Sequence, residues 1–112
     1  MSRDIAERDW KIFRELHPIA LERLCEKVLA ETRAEIGHPM KSAHEKYLSL
    51  FKLIQGRDRD IARAFNDFWR STAVMQIRII HSMELLTEEE LRRFSPETLQ
   101  IVEMYAPIGE GG

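Results

Sequence analysis

Between Asp58 and Met83 the side chains Ile61, Phe65, Phe68, Thr72, Met75, Ile79 and Met83 recur three or four residues apart. At about 100° per residue all seven fall in one stripe of an α-helix. Ala62, Trp69, Ala73, Gln76 and Ile80 form a flanking stripe. The spacing predicts a central helix over residues 58–83, about 39 Å long. No segment alternates with the period of two that a strand requires. The chain therefore reads as all-α, a small helical bundle built around this helix.

The other elements follow from their start and stop signals. Ser2 is placed to cap a helix from about Arg3, with Asp4 and Glu7 near its positive end. Ile5, Ile12, Phe13, Leu16, Ala20, Leu24, Val28 and Leu29 continue one stripe as far as about Ile36. Pro18 interrupts the backbone ladder but not the periodicity, so one long helix kinked near Arg14–Pro18 is expected, the alternative being two helices that meet there with Pro18 in a first turn. Gly37, followed by His38–Pro39, stops it. Ser42 and Glu45 make a capping box for a second helix, whose inner side is read as Tyr47, Leu48, Leu50, Phe51 and Ile54 and whose end is read at Gly56. Thr87 and Glu90 make a second box for a short helix. Ser95–Pro96 opens a last one, expected to end at about Tyr105. Residues 1–105 then form a single helical domain, and residues 106–112 a flexible tail.

Size and charge narrow the function classes. A chain of 112 residues suits one domain. The lone Cys25 has no intrachain disulfide partner and reads as a small buried hydrophobe. No apolar run approaches the ~20 residues that span a bilayer, and there is no apolar signal core, so a cytoplasmic protein without membrane contact is expected. The net charge of −2 hides a gradient. Residues 37–83 hold eight basic and four acidic side chains, whereas residues 84–112 hold two and seven. Mutual packing of the two regions explains this without an external partner.

No motif specifies a reaction, a metal or a cofactor, and none is expected. Glu35-x-x-His38 has di-iron spacing but occurs once and straddles the Gly37 stop. The four histidines are scattered, and Gly56 stands alone where a phosphate loop would need several glycines. Residues 52–64 suggest helix, Gly56 turn and helix, the weakest of three functional readings being a helix-turn-helix DNA binder. Against it, Asp58, Asp60 and Asp67 offset Arg57, Arg59, Arg63 and Arg70, and phosphate binding needs accumulated positive charge. Specific nucleic-acid binding is therefore not expected.

Two surfaces stand out instead. Asp67 lies at ladder spacing from Arg63 and Arg70, on a polar face of the central helix that Val74 and Ile77 invade further along. A helix that becomes apolar all round is covered all round. Either the C-terminal helices or a second copy of the chain must cover Val74 and Ile77. Helices of 39 Å and about 50 Å also exceed a compact globule of this length, whose radius of gyration would be about 13 Å. We therefore expect a non-enzymatic protein acting through protein–protein contacts as a homodimer. Its interface would lie on the Val74–Ile80 half of the central helix or on the kinked first helix, with Arg63, Asp67, Arg70, Val74 and Ile77 as partner-facing residues. The alternative is a small-ligand-binding bundle with an aromatic pocket involving His44, Tyr47 and Trp69.

Overall fold

A computed structural model describes residues 5–104, all in helices and their connections. Helix α1 spans Glu7–Ile36, α2 Ala43–Phe65, α3 Arg70–Ser82, α4 Glu88–Leu91 and α5 Pro96–Met104. The all-α class and the long first helix packed against the second are as the periodicity implies. Helix α1 begins later than Arg3, with Ala6 extended ahead of it; the proposed Ser2 cap lies outside the described residues. It continues through Pro18 without a break and ends at Gly37. Both capping boxes are present: Ser42 Oγ accepts from the Glu45 N–H, and Thr87 Oγ1 from the Glu90 N–H, each at 3.1 Å. Tyr105 and the tail beyond it also lie outside the described residues.

The expected central helix is two helices, and the expected stop at Gly56 is no stop. Helix α2 runs through Gly56 and ends at Phe65. Residues 66–69 then turn the chain, with Asn66 extended and Asp67 left-handed at φ 51°. Asn and Asp tolerate that region better than other non-glycine residues. Glycine inside a helix costs only about 1 kcal/mol, less than the contacts of a long helix can offset. The helix–Gly56 turn–helix reading falls with this, since Lys52 to Ala64 is one uninterrupted helix. A Cβ at Gly56 would meet only a terminal Arg59 nitrogen at 4.0 Å. Gly56→Ala should therefore raise the urea midpoint, by about 0.5–1 kcal/mol in stability. A loss of that size would mean the backbone needs glycine there.

The core follows the chain from Ile5 along α1 as far as Val28 and leaves the last two turns of that helix outside it. Phe13, Leu16 and Ala20 of α1, Ala64 and Phe65 of α2, and Ala73, Ile77, Ile79 and Ile80 of α3 form it with Leu85, Phe94 and Val102. Phe65 and Ile79 are buried, as the stripe implies, whereas Phe68 is half-buried in the connection. Polar side chains fasten α1 to the C-terminal segments. The Arg23 fork grips Glu90 at 2.7 and 2.9 Å and also donates to the Leu85 carbonyl. Lys27 donates to the Met83 carbonyl, and Arg93 to Glu15. The ion pairs among the described residues do not join the basic middle to the acidic end: Glu90 meets Arg23 and Arg93 meets Glu15, both on α1, while Lys41, Arg57 and Arg70 of the middle pair with Glu35, Glu31 and Glu7, also on α1.

This head ends at Val28, and beyond it the last two turns of α1 and the N-terminal half of α2 project as a two-helix arm. The molecule measures 51 × 28 × 26 Å with a radius of gyration of 16.4 Å. A compact chain of this length would have about 13 Å.

Candidate interaction surface

The arm is built with its polar groups between the helices and its apolar groups outside. Arg57 of α2 binds Glu31 of α1 through two nitrogens, at 2.8 and 2.5 Å, and holds Asp60 with a third at 2.9 Å. Lys41 joins Glu35 at 2.7 Å and Ser49 at 3.1 Å. The Arg57 hydrogen bonds keep the Glu31 carboxyl below its ordinary pKa, and Glu31 in turn raises that of Arg57. From Leu29 through Arg63 no residue is buried. Yet Leu29, Ile36, Tyr47, Phe51 and Ile54 are each between 49% and 63% exposed.

This corrects the expected inner side of the second helix. Tyr47, Leu48, Phe51 and Ile54 do not face α1. The α1-facing side carries Ser49, Leu53 and Arg57, partly buried and about 120° round the helix from the Tyr47–Phe51–Ile54 stripe. On α1, Cys25, Leu29 and Ile36 stand about 120° from the Glu31–Glu35 side that faces α2. Because the two helices run antiparallel, both offsets turn to the same side. The arm thus carries the apolar stripes of both helices on one side.

The residues singled out on the central stretch have different fates. Ile77 is fully buried inside the chain, in the cluster it shares with Phe94 and Val102. The C-terminal segments cover it, so it has no surface to offer a partner. Val74 is half-buried against the same cluster. The Arg63–Asp67–Arg70 ladder is not formed, because Asp67 is outside any helix and Arg70 pairs with Glu7. Arg63 and Asp67 instead line an open cleft at the α2–α3 corner.

His44, Tyr47 and Trp69 are not brought together. Tyr47 and the end of α2 are separated by 18 residues of continuous helix, about 27 Å. Trp69 lies beyond that end, exposed as the N-cap of α3. The aromatic cluster that does form is another one. Phe68 packs on Trp10, Phe13 and His17, the His17 ring stacked on it with centroids 3.8 Å apart. His17 Nε2 lies 3.3 Å from the Phe65 carbonyl, an acceptor, so this nitrogen carries the proton. Burial lowers the His17 pKa, outweighing that hydrogen bond, and favours the neutral ring as a packing element.

Sequence reasoning missed Asp9. It sits in the α1 stripe four residues before Phe13, is completely buried, and accepts from the Ser95 N–H and from the Ser95 and Thr98 hydroxyls. An acid on an otherwise apolar stripe was the available signal. Among the described residues no three His, Cys, Asp or Glu side chains gather as a metal site. No described helix is long and apolar enough to cross a membrane.

The carboxylates joining α1 to the C-terminal segments set an acid dependence. Hydrogen bonding from Arg23, opposed by burial and aided by the Thr87 N–H, lowers Glu90 from 4.5 to about 2. A depressed folded pKa contributes stability above the unfolded value and loses it as pH falls through the folded one. The urea midpoint should therefore fall between about pH 4.5 and 2, and Glu90→Gln should flatten that fall. An unchanged slope in Glu90→Gln would mean that Glu90 is not tied to the folded state.

No family model matches the chain, and neither a curated protein nor a solved structure shows significant similarity to it.

Proposed function

We propose that this protein is a non-enzymatic protein–protein contact module that pairs with a second copy of itself through the apolar face of the α1–α2 arm. The supporting observation is the inverted arm, with ion pairs in its seam, no buried residue from 29 to 63, and a row of half-exposed Leu, Ile, Tyr and Phe side chains. Two helices without a core are marginal in water, because helical stability in proteins comes chiefly from packing an apolar face. A second arm laid on the first by a twofold axis converts the pair into a four-helix bundle. It covers Leu29, Ile36, Tyr47, Phe51 and Ile54 from both copies. The interface thereby moves from the Val74–Ile80 segment to the arm, where the first helix contributes.

Hydrogen exchange tests this without mutation. Protection of the residue 43–63 amides should rise with protein concentration, while that of α3 changes less. Concentration-independent protection along α2 would contradict pairing through the arm.

A further inference from the structure

The cleft at the α2–α3 corner, about 400 Å³, is lined by Ala62, Arg63, Asn66, Asp67, Thr72, Met75, Gln76 and Ile79. It lies at the head end of α2, beyond the apolar arm. Gln76 is 3% exposed. Its Nε2 donates to the Asn66 carbonyl, and since a carbonyl only accepts, this fixes which way the amide points. Gln76 Oε1 is then left buried without a donor among the described residues. Burying an amide oxygen unpaired is unfavourable, so a donor brought to it would remove that cost. Asp67 is held in its left-handed conformation at the rim, where the Thr72 hydroxyl donates to its carbonyl at 2.6 Å and also accepts from the Trp69 N–H. Asp67 and Arg63 both line the cleft, one an acid and one a base, and neither joins the ion pairs of the described residues. Ala62, Met75 and Ile79 supply the apolar surface.

We propose that this cleft binds a small zwitterion with an apolar side chain, an aliphatic α-amino acid. Its ammonium group donates to Gln76 Oε1 and to Asp67. Its carboxylate accepts from Arg63, and its side chain lies on Ala62, Met75 and Ile79. A simple anion would meet Asp67, and a simple cation would meet Arg63. A zwitterion satisfies both, and the ammonium supplies the donor that the buried amide lacks.

Titration calorimetry of the wild-type protein with L-leucine tests this. Saturable binding is expected, weakened roughly tenfold or more for N-acetyl-L-leucine, which has no ammonium, and for L-leucinamide, which has no carboxylate. Arg63→Gln and Asp67→Asn should each weaken leucine binding by a similar factor while leaving the melting temperature of the free protein unchanged. Absence of saturable heat up to about 10 mM leucine would overturn the proposal and leave water as the partner of Gln76. Equal binding of leucine and N-acetyl-leucine would overturn it as well.

Discussion

Asp9→Ala should lower the unfolding free energy by about 3–5 kcal/mol, the cost of removing one partner from a buried charged network. The carboxylate is fully buried and accepts three hydrogen bonds of 2.8, 2.6 and 2.6 Å. Burial alone would raise its pKa, but the bonds from Ser95 and Thr98 outweigh burial and hold it below the ordinary value. It is therefore a carboxylate at neutral pH, placed at the positive end of α5, where a negative charge is favoured. Its removal leaves the Ser95 N–H and two hydroxyls without their acceptor and detaches α5 from α1 across 86 residues of chain. Asp9→Asn should recover only part of the loss, since an amide presents donors where two hydroxyls and an N–H also donate. Denaturant titration reads the result, and a loss below about 1 kcal/mol would mean that these bonds do not fasten the C-terminal helices.

The second large effect is on association. The double substitution Phe51→Glu with Ile54→Glu should convert a dimer into a monomer with most of its helicity retained. Both side chains are about half exposed in the single chain, so charges there cost little in the isolated fold. In a twofold interface each new carboxylate appears twice, in the middle of an apolar contact, and must lose water without a partner. Lys52→Glu changes the charge by two units on the opposite side of α2 and should leave the dimer intact. Ile77→Glu should behave differently from both. Ile77 is fully buried in the head, so a charge there destabilises the fold itself. Loss of dimer in Lys52→Glu, or its persistence in the double variant, would place the contact elsewhere.

How much was legible in the sequence depends on whether a signal was local. The Ser42–Glu45 and Thr87–Glu90 boxes, the Gly37 stop and the Ser95–Pro96 start each depend on residues within a few positions of the backbone groups concerned, and each marks a boundary. The break after Phe65 was hidden because the apolar period continues across it. Phe68 and Trp69 keep helical spacing but sit in a connection, where Phe68 packs on Trp10 and His17. Asn66–Asp67 was the only local mark of that turn. Gly56 misled in the opposite direction, since a weak helix former is tolerated inside a long helix. Of the surface, the apolar stripe of α2 was legible but its direction was not. Periodicity shows which residues share a face, whereas the facing helix is chosen by pairs such as Arg57–Glu31, far apart in sequence. The same long-range character hid Asp9 and the corner cleft, the first arising only when α1 meets the start of α5 and the second only when α3 folds back on α2.

Sedimentation equilibrium of the wild-type protein at tens of micromolar tests the pairing most directly. A chain of 13.2 kDa that associates through its arm should sediment as a species of about 26 kDa and dissociate on dilution. A single species of 13.2 kDa throughout that range would contradict the dimer and leave the apolar face of the arm open in solution.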